Sequence, residues 1–291
     1  MPVIDYNSSL GVFSAAEALT DRCLNHYREH GWILLKGFYG INDEIRPIHE
    51  DINRLIALKR DQLGISPRTN SGWTVSSNDF IELCTRDRAK GGEIYRACRH
   101  LRPLQVLLTK QQTLALMERL MATDFVYVHS FTAVRIDIRG EEKYLFDWHQ
   151  DYPYTQGSVD GVVLWAPLED VQKGSGGIKL IPGSHVHGIL PVRLLDPQNQ
   201  QGNGAHSIKI VDSASLDDEV SYRMDVEMGD VLVFSTLLVH KSLPMEKGGV
   251  RWSMQLRYSN FRHPAAIARG WPGGLLEGSW FEDIHPESIK S

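Results

Sequence analysis

The sequence predicts a mainly β protein with a helical flank: a double-sheet jelly roll with N-terminal helices packed on one sheet. Three observations carry this. From Val126 onward, short β-rich runs are separated by turn residues, the pattern of an antiparallel sandwich or barrel. Before Val126, apolar residues recur at three- and four-residue intervals among good helix formers. No low-complexity stretch, charge block or Pro/Gly/Ser-rich linker divides the two regions, so 291 residues that are 42% hydrophobic are expected to form one domain. Its parts are a helical flank over about 1–124, a core over about 125–262 and a tail over 263–291.

In the flank, Ser14 is the expected N-cap of a helix running to about Glu29, with Ala18, Leu19, Cys23 and Tyr27 on one side and Gly31 as its stop. Trp32 to Leu35 suits a buried strand. Ile45, Ile48, Ile52, Leu55 and Ile56 mark the inner face of a second helix, and Leu101 to Met121 carries a further helical pattern. Strands are expected near Val126 to Ile138, Gly161 to Pro167, Ile178 to Ile181, His206 to Val211, Tyr222 to Val226, Val231 to Phe234 and Trp252 to Phe261. Within Val134 to Ile138 the alternation places Arg135 and Asp137 on one face, where they could line a polar cavity.

A net charge of -5 with both signs dispersed argues against a nucleic-acid partner. Met1 to Phe13 has no signal-peptide character and the longest apolar runs are far too short to span a bilayer, so a soluble, cytoplasmic protein without membrane association is expected. Cys23, Cys84 and Cys98 form no C-x-x-C pair and read as buried thiols.

The chemistry is concentrated in Trp148-His149-Gln150-Asp151 and in His240, about ninety residues later. Two histidines and a carboxylate can occupy one face of an octahedral iron(II) and leave positions open for co-substrate and O2. On an extended segment, residues two apart point the same way, so His149 and Asp151 can reach one ion, with His240 brought by a distant strand. Eleven residues after His240 stands Arg251. A hairpin through Pro244 and Gly248-Gly249 would return the chain beside its own strand and place the guanidinium deeper in the same cavity. There it could bind a carboxylate bidentately, as the distal end of 2-oxoglutarate requires.

With these residues in place, the stretch from about Val134 to Arg257 resembles the phytanoyl-CoA dioxygenase family of iron and 2-oxoglutarate oxygenases, which includes ectoine hydroxylases. The motifs occur in order: Trp148 to Asp151, Trp165-Ala-Pro-Leu168, Gly176-Gly-Ile-Lys-Leu-Ile-Pro-Gly-Ser-His185, Gly229-Asp230, and His240-Lys-Ser242 followed by Arg251. The resemblance implies a double-stranded β-helix, cupin-like in outline, with His149, Asp151 and His240 as the metal triad. It implies that Arg251 holds the distal carboxylate of 2-oxoglutarate with help from Ser242, and that Trp165 lines the same pocket, although core packing would equally explain a tryptophan there. Asp137 stands where the family has an asparagine that contacts the co-substrate. An aspartate would repel that anion unless protonated or paired, so Asp137 is expected to pair with Arg135 or to contact substrate.

The implied activity is Fe(II)- and 2-oxoglutarate-dependent dioxygenation, hydroxylating a small organic metabolite with release of succinate and CO2. Natural-product, amino-acid-derived, sugar and acyl substrates all remain open. Asp151 favours hydroxylation over halogenation, because halogenating relatives lack that carboxylate. Candidate substrate contacts are Arg135, Gln150, Tyr152 and Tyr154, and the Pro/Gln/Asn/Gly-rich stretch from Leu190 to Gly204 is a candidate lid. The rival readings are a non-catalytic, cupin-like metal- or sugar-binding protein and a zinc hydrolase; both leave Arg251 without a role.

Overall fold

The structure, a computed structural model, describes residues 4–5, 10–66, 72–130, 132–194, 208–218, 220–274, 277–278 and 280–290. The flank begins with strands β1 (Ile4–Asp5) and β2 (Val12–Ser14), helix α1 (Asp21–His30) and strand β3 (Trp32–Lys36). Ser14 does not cap α1. The Glu17 carboxylate accepts from the Ser14 amide and hydroxyl, closing a short 3-10 turn, and Thr20 caps the helix by accepting from the Cys23 amide. Gly31 ends α1 in the left-handed conformation at φ 77°, and a β-carbon there would lie 2.5 Å from His185 Nδ1.

Helices α2 (Arg46–Gln62), α3 (Ser77–Arg86), α4 (Arg88–Cys98), α5 (Arg102–Leu108) and α6 (Gln111–Leu120) follow. The single helix expected over Leu101 to Met121 is thus two. Lys110 leaves helical geometry with ψ 131°, and the bend lets Leu104, Leu107 and Leu108 on one side and Leu116 and Met117 on the other reach the same core.

The remaining strands are β4 (Val126–Val128), β5 (Ala133–Ile138), β6 (Val162–Pro167), β7 (Ser175–Leu180), β8 (Val192–Leu194), β9 (Ile208–Ile210), β10 (Tyr222–Arg223), β11 (Val231–Ser235), β12 (His240–Met245) and β13 (Val250–Asn260). They build a seven-stranded sheet, β2-β3-β11-β6-β13-β4 with β5 also on β13, facing a four-stranded sheet, β1-β10-β7-β12, while β8 and β9 pair apart. The strand expected over Val126 to Ile138 is interrupted: β4 and β5 both pair with β13, and between them the chain turns, with the Thr132 amide bonded to the Ser130 carbonyl. Of His206 to Val211, the first two residues lie outside the described ones. Most of the candidate lid, 195–204, does as well.

Alternation sorts the large sheet. Ile33, Leu35, Val231, Val233, Val162, Leu164 and Ala166 face the helices, whereas Trp32, Leu34, Leu232, Phe234, Val163 and Trp165 face the second sheet. Both faces are therefore covered, which explains why these strands read as unbroken apolar runs. In β13 the outward set, Trp252, Met254, Leu256 and Tyr258, packs on the helices, and the inward set, Arg251, Ser253, Gln255 and Arg257, is polar. The hairpin expected after His240 does not form as such. β12 pairs with β7 and β13 with β5 and β6, so the turn after Met245 carries the chain from one sheet to the other.

Asp230, in the Gly229-Asp230 motif, is only 3% exposed and ties β3 to β11. It accepts from the Gly37 amide at 2.9 Å, the Glu227 amide at 3.0 Å and the Lys36 ammonium. Asp230→Ala should lower stability by about 1–3 kcal/mol, read as a lower urea midpoint at unchanged m-value, because three donors lose one charged acceptor.

Candidate active site

His149 and His240 are fixed against each other by backbone. Each amide donates to the other's carbonyl at 3.0 Å, joining the segment before Asp151 to the start of β12. The chain then turns instead of running on as a strand. Asp151 has φ -73° and ψ -27° and opens the short helix α7 (Tyr152–Thr155), its carbonyl accepting from the Tyr154 and Thr155 amides. His149 and Asp151 therefore converge through a turn, not through the period of an extended segment.

The outcome is a buried group in which the ligand atoms of His149, Asp151 and His240 all lie within 4.8 Å of one another. Asp151 Oδ1 is 3.5 Å from His149 Nε2 and 3.8 Å from His240 Nε2. The other ring nitrogens face backbone carbonyls: His149 Nδ1 lies 2.7 Å from the Asp147 oxygen and His240 Nδ1 2.9 Å from that of Leu238. A proton on Nδ1 satisfies each of those bonds and leaves the Nε2 lone pairs directed at one point, as metal ligation requires.

Electrostatics favour the same state. Burial pushes His240 down to about 3, helped by the neighbouring His149 and opposed by Asp151, so its imidazole is neutral near pH 7. Burial alone would raise Asp151, but the Arg257 guanidinium together with the two histidines outweighs it and keeps the carboxyl ionised. Arg257 Nε donates to Asp151 Oδ2 at 2.9 Å, leaving Oδ1 toward the histidines. Arg257 escaped the sequence reading, although its signal was present. It stands six residues after Arg251 on the inward, polar set of β13.

A second charged group lies farther along the same face. Arg251 is opposite Asp137 in the β5–β13 register and donates to Asp137 Oδ2 from Nη2 at 2.7 Å and from Nε at 3.2 Å. Its Nη1 donates to the Gly177 carbonyl at 3.2 Å. Arg135 Nε holds the other carboxylate oxygen of Asp137 at 2.9 Å. Gly176, at φ 85°, makes room for this guanidinium, since a β-carbon there would collide with Arg251 Nη1. Burial opposes ionisation of Asp137, and the two arginines hold its carboxyl below the usual range.

One cavity of about 600 Å³ joins the two groups, and its lining also includes Arg135, Tyr154, Trp165 and Ser242. Two of the expected substrate contacts are not on it. Gln150 is buried as a loop clamp, donating to the Gly188 and Leu237 carbonyls and accepting from the Leu190 amide. Tyr152 points away from the cavity, its hydroxyl 2.9 Å from His285 Nε2. Residues two apart in the one-turn helix α7 do not share a face, which is why Tyr154 reaches the cavity and Tyr152 does not.

The sequence pattern of the phytanoyl-CoA dioxygenase family covers residues 27–251. The chain belongs to that family. The expectation of an iron- and 2-oxoglutarate-dependent oxygenase stands with it. Among curated relatives, 1-deoxypentalenic acid 11-beta-hydroxylase of Streptomyces arenae is 27% identical, the match covering 94% of this chain and 93% of the relative. The fold resembles that of EctD from S. alaskensis with 2-oxoglutarate and 5-hydroxyectoine, at TM-score 0.56 and 15% identity over 89% of this chain and 83% of that one. It also resembles the epimerase SnoN in complex with Fe3+, alpha ketoglutarate and nogalamycin RO, at TM-score 0.51 and 18% identity over 87% and 89%. These two likenesses confirm the jelly roll. Among the described residues, no helix is long and apolar enough to cross a membrane.

Two predictions follow from the charges. Arg257→Gln leaves Asp151 buried without its cation, so affinity for a divalent metal should fall about 10–100-fold, measured by Ni(II) titration, with secondary structure retained. For the metal-free protein, burial pushes His49 down to about 4 and His129 and His240 to about 3. The unfolded chain therefore binds more protons than the folded one below about pH 6.5, and stability should fall as pH drops from 6.5 toward 4, by up to about 1.4 kcal/mol per pH unit for each such histidine. Asp151, held low when folded, adds a further loss at still lower pH. Urea midpoints between pH 7.5 and 4.5 would read this slope.

Proposed function

We propose that this protein hydroxylates a small organic metabolite, with His149, Asp151 and His240 holding one Fe(II) and Arg251 holding the distal carboxylate of 2-oxoglutarate. The observation that carries the reading is that three convergent ligand atoms and a buried, clamped arginine open onto one cavity. When bound, Fe(II) with 2-oxoglutarate and O2 supplies an oxidant able to hydroxylate a C–H bond, with release of succinate and CO2.

The protein supplies placement and charge. The backbone carbonyls of Asp147 and Leu238 fix the histidine tautomers, and Arg257 keeps Asp151 an anion with one oxygen facing the histidines. Asp137 and the Gly177 carbonyl hold the Arg251 fork in one orientation, ready for a bidentate carboxylate. Ser242, on β12 and lining the cavity, is placed to add a hydroxyl to that carboxylate's surroundings. Trp165, Ile178 and Phe234 give the cavity apolar walls that exclude water. Asp151 supplies the carboxylate that halogenating members of the family lack, so hydroxylation is favoured over halogenation.

The Streptomyces relative, a 1-deoxypentalenic acid 11-beta-hydroxylase matched along nearly its whole length, supports a compact metabolite as substrate. The same reading takes the chain as one domain, supported by a tail whose Phe281 shares a buried cluster with Trp148 and Tyr152. It also takes a cytoplasmic setting, supported by three buried, unpaired cysteines. A non-catalytic metal- or sugar-binding module would give no reason for a clamped arginine beside the triad.

Anaerobic Fe(II) plus 2-oxoglutarate should give a weak visible charge-transfer band. His149→Ala, Asp151→Ala and His240→Ala should each weaken metal binding and abolish succinate formation; full turnover by any one of them would remove that residue from the ligand set. Arg251→Lys keeps the charge and loses the fork, so 2-oxoglutarate affinity should fall by about 1–3 kcal/mol while metal binding changes little. An unaltered 2-oxoglutarate titration would place the co-substrate elsewhere.

A further inference from the structure

The cavity does not end at the edge of the sandwich. Ile136 and Ile138 stand on the opposite face of β5 from Arg135 and Asp137, yet all four line it. It therefore passes over the edge strand and reaches α4, which packs against β5 and contributes Arg88, Gly92, Tyr95, Arg96 and Arg99 to the wall. Their spacing of three and four residues puts them on one helical face, while Ile94 and Cys98 are buried on another.

Two features of that face point to a ligand. Gly92 stands in the helix interior, where glycine costs about 1 kcal/mol relative to alanine, yet packing does not require it. The nearest atom to a β-carbon there is Arg96 Nη1 at 3.6 Å. Its effect is to keep the wall low where the cavity passes. The charges are also uneven, since the lining holds six arginines and, as carboxylates, only Asp137 and Asp151. Arg257 pairs with Asp151, Arg135 and Arg251 share Asp137, and Arg88 holds Glu141 at 2.9 and 2.6 Å. Arg96 is exposed and makes no ion pair among the described residues, and the Arg99 guanidinium lies over the Tyr95 ring at 5.2 Å. The same lining holds the apolar side chains of Phe80, Ile136, Ile138, Phe146, Val163, Trp165, Ile178 and Phe234.

We propose that the substrate is an apolar molecule carrying one carboxylate, and that Arg96 and Arg99 bind this carboxylate while the apolar body reaches back toward His149, Asp151 and His240. The proposal rests on reading those three residues as the reacting centre. The volume fits, because about 600 Å³ lies within the range of small-molecule sites and must also hold the co-substrate. Two guanidinium forks one turn apart suit a planar carboxylate, and the apolar side chains of the lining suit an apolar body.

The test uses the full chain loaded with Ni(II) and saturating 2-oxoglutarate, so that Arg251 is already engaged. The probes are 1-adamantanecarboxylate and octanoate, each titrated calorimetrically against its neutral counterpart, 1-adamantanemethanol or 1-octanol. The carboxylates should bind at least about tenfold more tightly than the alcohols. Arg96→Gln combined with Arg99→Gln should erase that preference, and the corresponding pair of lysine substitutions should keep most of it. Glutamine and lysine are both good helix formers, so α4 should persist in either variant. Equal binding of acid and alcohol by the parent protein would overturn the proposal, as would a preference that survives the double glutamine substitution. Separate Ni(II) and 2-oxoglutarate titrations of the parent protein report on the reacting centre. Their failure would defeat that reading, whereas normal titrations without a carboxylate preference would defeat only the assignment to α4.

Discussion

A carboxylate that is buried and still ionised is the constraint around which this protein is organised. Asp151 is 5% exposed, and burial alone would drive it to the neutral acid, a poor metal ligand. Arg257 reverses that by donating to one carboxylate oxygen and leaving the other beside the histidines. An arginine can occupy the inside of the sandwich only if its own charge is matched, so each member of the pair makes the other tolerable. The remaining architecture serves this pairing: β13 delivers Arg257, the His149–His240 backbone bridge delivers the nitrogens, and the turn into α7 delivers the carboxylate.

The second buried charge group shows how a departure from a family pattern can be self-consistent. The resemblance calls for asparagine at position 137, and an aspartate there would repel a dicarboxylate. In the structure Asp137 lies between Arg135 and Arg251, so two cations surround one anion and the group keeps a net positive charge. An aspartate at this position therefore does not leave the surroundings of Arg251 negative. Asp137 also fixes the orientation of Arg251, as a neutral amide would do less strongly.

Much of this was legible in the sequence. Strands covered on both faces read as apolar runs, the two histidines and Asp151 lie in the motifs that carry the family resemblance, and Arg251 follows His240 at a spacing that returns it to the cavity. The reasons behind some of these were not legible. His149 and Asp151 meet through a turn, and Arg251 comes home by crossing between sheets, because spacing alone does not say where a chain bends or which sheet it joins. Gln150 and Tyr152 were read as substrate contacts from their place in or next to the motif, but Gln150 is taken up by the backbone of Gly188, Leu190 and Leu237, and the one-turn helix α7 sends Tyr152 and Tyr154 to different sides. The arginines of α4 gave no signal at all, since a helix face turned to a cavity and one turned to solvent are written with the same polar residues.

The alternation of β13 has a consequence for how such a protein can change over generations. Arg251 and Arg257 share a face because they stand six positions apart, an even offset. Exchanging Trp252, Met254 or Leu256 for other apolar residues would alter packing against the helices and leave the arginines in place. Inserting or deleting a single residue between them would instead turn one arginine out of the sandwich and strand its aspartate in the interior, although composition would scarcely change. An insertion of two would restore the facing but move one arginine about 7 Å along the strand, beyond the reach of its partner. The strand thus acts as a ruler, permissive toward substitution and strict about length, and relatives that keep both ion pairs should differ in its sequence while conserving its count of residues.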